Sequence, residues 1–332
     1  MSENISRRAA LKLMGAAAGA VAIGGLASLT GCKPGNTQNS PAESPKDADT
    51  PKIDNSNNHA ENAEASGKAE KVKRLVFYFT GTGNSLYIAR QLSDNTVSIP
   101  QAMKKGELSY EAEEIGIVYP IYGHMPPNMV REFIKKVQLK CDYLFAVLTY
   151  GARKCNAVEI WDEVSKEAAH PFDYISTIVM VDNWLPNFDM NEQKAIDKHI
   201  PENLAKIKAD IDNRKKEHEP VTEEERQQHA EFLQRANATF GGVGLTAKAE
   251  DWFTVTDKCI TCGICTKVCP KANYTIEVER AVPKGDCELC FACVHNCPHK
   301  AIILTKGEKN PNARYRHPEI KVSDIQKANN QL

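Results

Sequence analysis

"CITCGICTKVCP", residues 259–270, decides the fold of the C-terminal part of this chain. Its four cysteines have the spacing C-x2-C-x2-C-x3-C and are followed by proline, a run with which thiolates hold an iron–sulfur cluster. "CELCFACVHNCP", residues 287–298, repeats this spacing without a slip. Two copies of so specific a pattern predict a small α+β domain with two [4Fe–4S] clusters over residues 251–305.

The spacing also predicts which cysteines share a cluster. Three thiolates of each run curl around one cubane, and the fourth is carried toward the other cluster. One cluster is therefore assigned to a first set, Cys259, Cys262, Cys265 and Cys297, and the other to a second set, Cys269, Cys287, Cys290 and Cys293. Zinc knuckles and disulfides are the alternatives, but zinc sites separate paired CxxC units by longer gaps and disulfide frameworks do not need this rhythm.

Length and charge set limits on the rest of the chain. Its 332 residues suffice for two ordinary domains plus tails. A net charge of -1 gives no basic field, so we expect no nucleic-acid partner. Three of the eleven cysteines lie outside the two runs. We interpret Cys141 and Cys155 as small core or near-surface residues without a role, and Cys32 as part of the N-terminal signal.

The N-terminal stretch "SRRAALKLMGAAAGAVAIGGLASLTGC" has two arginines followed by an Ala/Gly-rich apolar run that ends at Cys32. It resembles a twin-arginine export signal, and Leu29–Cys32 resembles a bacterial lipoprotein cleavage box. The resemblance implies a signal peptide over residues 1–31, lipidation of Cys32, and anchoring at the outer face of the cytoplasmic membrane or in the periplasm. An uncleaved transmembrane anchor is the alternative, since about 20 residues suffice to span a bilayer.

Export and iron–sulfur clusters are compatible, because the twin-arginine route that the signal resembles carries folded proteins with their cofactors. Residues 33–70 are rich in Asn, Ser, Pro, Ala and charged residues and contain almost no large apolar side chain. Such a segment cannot offset its ordering entropy by burial. We therefore predict that residues 32–70 form a lipidated, disordered tether to the membrane.

"KRLVFYFTGTGNSLYIARQL", residues 73–92, reads as a strand, a Gly/Thr-rich turn and a helix. Turn amides and the positive end of the helix suit a phosphate. The turn has no lysine and no G-x-G-x-x-G, which excludes the triphosphate and dinucleotide fingerprints and leaves a phosphomonoester site or an ordinary strand–helix turn without a ligand. It resembles flavodoxin, whose T-x-T-G-x-[ST] loop takes the FMN phosphate. The predicted phosphate ligands are Thr80, Gly81, Thr82, Gly83, Asn84 and Ser85.

The next segments repeat the pattern of strand, loop and helix up to the apolar strand "YISTIVMV" at residues 174–181. Such alternation predicts an α/β doubly wound parallel sheet over residues 72–215, with ligands at the carboxyl ends of its strands. Tyr122 is the predicted stacking partner of the isoalloxazine, with Tyr119 and Tyr150 as alternates. We interpret His124 as a loop residue without a catalytic proton. Gly123, Thr149 and Gly151 complete the predicted flavin site.

With both halves considered, the chain resembles the fused flavodoxin–ferredoxin proteins of anaerobic bacteria and archaea. The matching stretches are "YFTGTGNSLYIA", "YPIYGHMPP", "DNWLPNFD" at residues 182–189, "DWFTVTDKCITCGICTKVCP", and "ARYRHPEI" at residues 313–320. The resemblance implies an FMN domain, a bacterial-type ferredoxin domain with two clusters, and electron transfer. It also implies that the loop of Trp184 approaches the flavin or the clusters. The remaining segments are predicted as a helical connector (216–250), a turn at Gly241–Leu245 and a C-terminal tail (306–332).

Three functions remain open at this point. An electron carrier would connect one-electron and two-electron partners, because clusters take single electrons and a flavin takes two. An FMN-dependent reductase of a quinone, nitro or sulfur compound is the second, and an electron-wire subunit of a membrane redox complex the third. We favour the carrier over an enzyme because no acid–base constellation is readable, and we assign no catalytic residue. The absence of a nicotinamide fingerprint indicates a redox protein or quinol as partner.

Overall fold

A computed structural model describes residues 72–240 and 247–332. The predicted export signal, Cys32, the tether and the turn at Gly241–Leu245 lie outside the described residues. Within the described part of the chain, no helix combines the length and the apolar character that crossing a bilayer requires.

The first body is built on a parallel sheet of six strands in the order β2-β1-β4-β6-β7-β8. Its strands are β1 (Arg74–Tyr78), β2 (Thr96–Ser98), β4 (Glu114–Pro120), β6 (Tyr143–Tyr150), β7 (Tyr174–Val179) and β8 (Glu217–His218), and a separate parallel pair consists of β3 (Ser109–Glu111) and β5 (Gln138–Lys140). The helices are α1 (Asn84–Leu92), α2 (Ile99–Lys105), α3 (Asn128–Lys136), α4 (Ala157–Glu167), α5 (Met190–Ala195), α6 (Ile200–Asp212) and α7 (Glu223–Phe240).

The predicted doubly wound parallel sheet is confirmed. The first five strands of the sheet follow the 2-1-3-4-5 order of the flavodoxin-like fold. The central strands β4 and β6 are buried along nearly their whole length, as expected for strands covered by helices on both faces. The order reverses beside β1, so β1, β4 and β6 direct their carboxyl ends, and the loops after them, toward the switch point where such folds bind ligands.

The second body contains six short strands and three short helices. Its strands pair in antiparallel fashion as β10 with β14, β11 with β12, and β13 with β9. The elements are β9 (Ala247–Lys248), α8 (Ala249–Trp252), β10 (Phe253–Val255), α9 (Ile264–Val268), β11 (Tyr274–Ile276), β12 (Ala281–Pro283), β13 (Asp286–Cys287), α10 (Ala292–Asn296) and β14 (Ile302–Leu304). The predicted small α+β domain after the sheet is confirmed.

The segment after β14 ends in helix α11 (Val322–Asn329), which packs against α2 and α9. We call residues 313–332 the C-terminal strap. Asp324 of the strap forms a 2.9 Å ion pair with Arg90 of α1, and the Ala328 carbonyl accepts a hydrogen bond from Ser98. These bonds attach the strap to the first body, so the segment predicted as a tail includes an element that contacts both bodies.

Candidate iron–sulfur centres and nucleotide site

The first set of cysteines converges on one cavity. Cys259, Cys262, Cys265 and Cys297 all line one depression. Thr261 and Gly263 adopt left-handed backbone conformations (φ 54° and 73°), which bend the run tightly enough for its thiols to face inward. The grouping is the one predicted from crossed ligation, because Cys297 comes from the other run.

The second set, Cys269, Cys287, Cys290 and Cys293, lies deeper in the protein. Cys269, Cys290 and Cys293 are buried and Cys287 is half-buried. Burial raises the pKa of the Cys287 thiol to about 12, and the neighbouring Cys269 adds to the effect. Burial likewise holds the pKa of Cys290 and Cys293 well above that of an ordinary thiol. Because metal binding requires thiolates, iron must supply the charge that keeps this set deprotonated.

Backbone amides donate to sulfur in both sets. Ala281 and Ala301 donate to Cys259 and Cys297 of the first set over 3.4 and 3.3 Å. In the second set, Asn273 donates to Cys269 over 3.4 Å and Leu289 to Cys287 over 3.3 Å. Amide donors stabilise negative charge on sulfur and tune the reduction potential of a cluster. All ten described cysteines are free thiols. The two sets therefore suit iron–sulfur clusters.

Solvent reaches the two sets to different degrees. Cys262 of the first set is exposed, and Ile260 and Ile276, which also line its cavity, are 58% and 41% exposed. Val278, at the tip of the β11–β12 hairpin, is fully exposed. Three of the six exposed large apolar side chains in the described residues thus lie around the first set, whereas the second set is turned toward the sheet.

The three loops predicted to hold the flavin meet at one edge of the sheet. Ser85 and Thr149 share a 2.9 Å hydrogen bond between their hydroxyls. The Ile121 amide donates to the Thr149 carbonyl over 2.8 Å. The rings of Phe79 and Tyr122 meet edge to face at 6.4 Å. The structure therefore brings together the loops after β1, β4 and β6, as the fold requires.

The loop after β1 offers a cradle of backbone amides. Gly83 has φ 100°, and its amide donates to Thr80 Oγ1 over 3.0 Å. The amides of Gly81, Thr82, Asn84 and Ser85 have no acceptor among the described residues, although the loop is buried. Buried amides without a partner are costly unless a ligand satisfies them. Together with the N-terminus of α1, they suit a phosphate.

Protein groups surround this cradle from the outside. The strap amide of His317 donates to the Thr82 carbonyl, and Asn329 Nδ2 donates to the Thr80 carbonyl, both over 2.9 Å. Asn183 Nδ2 donates to Thr82 Oγ1 over 2.6 Å. The strap thus satisfies the carbonyls of the loop, whereas the amides of the loop keep no partner in the protein and are available to a ligand. The hydroxyls of Thr82 and Ser85, by contrast, are already hydrogen-bonded to protein.

The predicted ring-stacking residues are in different places. Tyr119 is fully buried, with its ring 4.9 Å from that of Trp161 in the core. Tyr122 and Tyr150 lie half-buried at the edge of the sheet, and Gly123 is exposed. A Cβ on Gly151 would come within 2.4 Å of the Asp182 carboxyl, so this turn has room only for glycine. Of the three tyrosines, Tyr122 and Tyr150 are the ones within reach of a ligand at this edge.

The nucleotide loop touches the turn that carries the second cysteine set. A Cβ built on Gly81 would lie 2.3 Å from the backbone carbonyl oxygen of Cys290. Phe291, the next residue, stacks on Trp184 with ring centroids 5.0 Å apart and an interplanar angle of 18°. Trp184 therefore lies beside the cluster turn. The predicted FMN loop and the second set are in direct van der Waals contact.

Some residues at this edge carried no readable signal of their own. Tyr315 donates its hydroxyl to Asn84 Oδ1 over 2.7 Å, and Asn329 is fully buried between the two bodies. A hydrogen-bonded chain joins Cys155 Sγ to His124 Nε2 (3.3 Å) and His124 Nδ1 to His229 Nδ1 (3.2 Å). Burial lowers the pKa of His124 to about 4. The family resemblance included Tyr315 in "ARYRHPEI" and His124 in "YPIYGHMPP", but it gave neither residue a role, and it did not include Cys155, His229 or Asn329.

Comparison with known proteins bears on each body. Residues 252–309 match the family described as a 4Fe-4S dicluster domain. Comparison with curated proteins gave no match. Among solved structures, the chain is similar to a protein assigned as a flavoprotein from Bacteroides uniformis ATCC 8492, with 13% identity and a TM-score of 0.26 over 38% of this chain and 97% of that one. It is also similar to the flavodiiron core of Flv1 from Synechocystis sp. PCC6803, with 11% identity and a TM-score of 0.26 over 42% of this chain and 38% of that one. The family match and the strand order together show a 4Fe-4S iron–sulfur domain joined to a body with flavodoxin-like topology.

Proposed function

We propose that this chain is an exported, lipid-anchored electron-transfer protein that holds two [4Fe–4S] clusters and FMN. The observation that carries the proposal is the contact between Gly81 of the amide cradle and the Cys290 carbonyl in the second cysteine set. When bound, the clusters exchange single electrons and the flavin supplies the two-electron step. The chain's own residues bring both sites into contact without any encounter between separate proteins.

The cradle residues hold the phosphate end of the flavin. The unpartnered amides of Gly81, Thr82, Asn84 and Ser85 donate to it, and Tyr122 and Tyr150 line the edge where the ring would lie. No cation is needed, because a phosphomonoester is satisfied by amides at a helix N-terminus. The burial of the loop under the strap excludes water from this end of the site.

The first cysteine set is the port to outside partners. Cys262 is exposed, and the surrounding apolar side chains Ile260, Ile276 and Val278 provide a surface on which a redox protein can dock. The second set lies between this port and the cradle. The order of sites is therefore cradle, second set, first set and partner, which suits a carrier.

The export signal and Cys32 give the proposed location. Membrane tethering is tested by expressing the full chain and Cys32→Ser in a host with the lipoprotein pathway. The wild-type protein is expected in the membrane fraction and the variant in the soluble fraction of the exported material. Equal partition of the two proteins would contradict lipid anchoring.

The cofactor content of the purified protein tests the proposed FMN and the two proposed clusters. Holoprotein purified without oxygen is expected to release FMN on acid treatment and to contain iron and labile sulfide for two clusters. Cys262→Ser is expected to disturb the electron spin resonance of one cluster and to leave the other intact, because Cys262 lines only the first cavity. Cys141→Ser is the matched control. A variant that loses both clusters, or neither, would refute the assignment, and a colourless wild-type protein would refute the function.

A further inference from the structure

A polar cleft opens where α3 of the first body faces the iron–sulfur domain. Its volume is about 300 Å³, at the lower end of the range for small-molecule sites. One wall consists of side chains of α3, and the opposite wall consists of Lys271 and the stretch from Asp286 to Glu288. The second wall includes Cys287 of the second set. A molecule in this cleft would lie against that cysteine.

Two of the carboxylates in the cleft are already paired with donors. Asp286 Oδ1 lies 2.5 Å from Lys248 Nζ. The Glu288 side chain is only 3% exposed, accepts the Met129 amide over 3.1 Å, and lies 4.0 Å from Lys271 Nζ. Their negative charge is therefore largely balanced within the protein.

The cations of α3 are not paired in this way. Arg131 and Lys135 are one helical turn apart, and in the described part of the chain neither forms an ion pair. Arg131 donates to Asn128 Oδ1, a neutral oxygen, and its Nε is buried without an acceptor. Glu132 is the one unpaired carboxylate that faces these two cations. The unbalanced charge in the cleft is positive.

We propose that this cleft binds a small anion with a carboxylate or oxyanion group, with Arg131 as its main anchor and Lys135 at its mouth. A guanidinium with free N–H groups matches a planar oxyanion, whereas a lysine acts as a point charge. The alternative to an anion in this cleft is a divalent cation. The three carboxylates that line the cleft are divided between its two walls, and two of them are already paired with lysines.

The position beside Cys287 gives the anion a role that rests on the proposed function. An anion held there would lie next to the second cluster and would lower its reduction potential through added negative charge. Anion binding itself does not depend on the cluster, so the two parts of the inference are tested separately.

Calorimetric titration of the anaerobically purified holoprotein with malonate and with inorganic phosphate tests binding. Arg131→Gln is expected to weaken binding at least about tenfold, since a hydrogen bond to a charged group is lost. Lys135→Gln, at an exposed position, is expected to weaken it about threefold. Lys136→Gln, next along the helix but outside the cleft, is the matched control and is expected to bind as the wild type does.

Electron spin resonance of the reduced holoprotein tests the position. Malonate is expected to shift one of the two cluster signals in the wild type and in Lys136→Gln, and to shift none in Arg131→Gln. Equal affinity of wild type and Arg131→Gln, Mg²⁺ binding without anion binding, or no heat up to about 10 mM of either anion would overturn the site. Binding without any spectral shift would overturn the position beside the cluster. A protein without clusters would refute the proposed function while the calorimetry still decides anion binding.

Discussion

Replacing Gly81 by alanine tests the contact that joins the two bodies. The added Cβ would lie 2.3 Å from the Cys290 carbonyl oxygen, whereas ordinary van der Waals contacts begin at 3.4 Å. The cluster turn must therefore retreat by about 1 Å, and backbone cannot yield as a flexible side chain does. Overpacking of this kind costs about 1–3 kcal/mol. At about 1.4 kcal/mol for each factor of ten, the ratio of docked to undocked protein falls about 5- to 150-fold.

Amide hydrogen exchange measures this ratio region by region. Gly81→Ala is expected to speed exchange in peptides from the strap and from residues 286–297 by the factor given above, and to leave the strands β4 and β6 protected. Gly106→Ala is a control of comparable cost at a remote place. Gly106 has φ 71° with open space around it, so alanine there strains only the end of α2.

Two results would refute this reasoning. Wild-type exchange of the strap and the cluster turn in Gly81→Ala would mean that the bodies do not rest on this contact. Equal deprotection of the whole chain would mean that the alanine unfolds the first body rather than undocking the second. Gly106→Ala is expected to keep wild-type exchange in the strap and the cluster turn and to alter exchange only near its own helix end.

Four further outcomes follow from the same geometry. Asn329→Ala removes the side-chain amide that donates to both the Thr80 and the Val268 carbonyls. The free energy of unfolding, measured by denaturant titration, should fall by about 1–3 kcal/mol. An unchanged value would contradict a stabilising role of these two hydrogen bonds. Burial lowers the pKa of His317 from 6.5 to about 4. Between these two pH values the unfolded chain binds one proton more at this residue than the folded chain does. The contribution of His317 to the free energy of unfolding is therefore complete above pH 6.5 and falls by about 1.4 kcal/mol per pH unit toward pH 4. His317→Gln should remove the share of the slope that this residue contributes and keep the share of other buried histidines such as His124 and His295, with the exposed His299→Gln as control. Glu308→Ala leaves the buried Arg314 guanidinium without its ion-pair partner and should lower the free energy of unfolding by about 3–5 kcal/mol. Glu107→Ala, which removes the exposed ion pair with Lys105, should lower it by less than about 1 kcal/mol. Redox titration should give the first cluster, identified by Cys262→Ser, the higher reduction potential, and the reverse order would contradict the effect of burial.

The parts of the structure that follow local rules could be read from the sequence. The apolar runs at β4 and β6 predicted buried strands, because a parallel sheet covered on both faces needs such runs. The cysteine spacing predicted that Cys297 joins the three cysteines of the first run, and the structure places all four around one depression, while their ligation of a cluster stays a prediction. In both cases the sequence pattern and the structure that it predicts lie close together in the chain or belong to one repeated motif.

What could not be read depends on contacts between distant segments. Tyr119 and Tyr122 are three residues apart, but Tyr119 lies in strand β4 with its ring packed against Trp161 in the core, whereas Tyr122 lies in the loop after the strand. Asn329 looks like any polar residue in an amphipathic helix, yet it is fully buried because two carbonyls from other elements need its amide. Periodicity assigns such a residue to a helix and does not indicate which distant groups it meets.

Burial gives the proposed chain of sites a direction. Each cysteine set accepts two backbone amide hydrogen bonds on sulfur at 3.3–3.4 Å, so these bonds do not distinguish the two sets. Exposure to solvent does distinguish the two sets, because Cys262 is exposed whereas Cys290 and Cys293 are buried. Reduction adds negative charge, and burying that charge is costly. In the proposed carrier, electrons at the second set would therefore lie higher in energy and would flow outward to the first. Electrons arriving at the cradle would then leave through the apolar surface around Cys262, whereas inward flow would need a partner strong enough to drive them uphill.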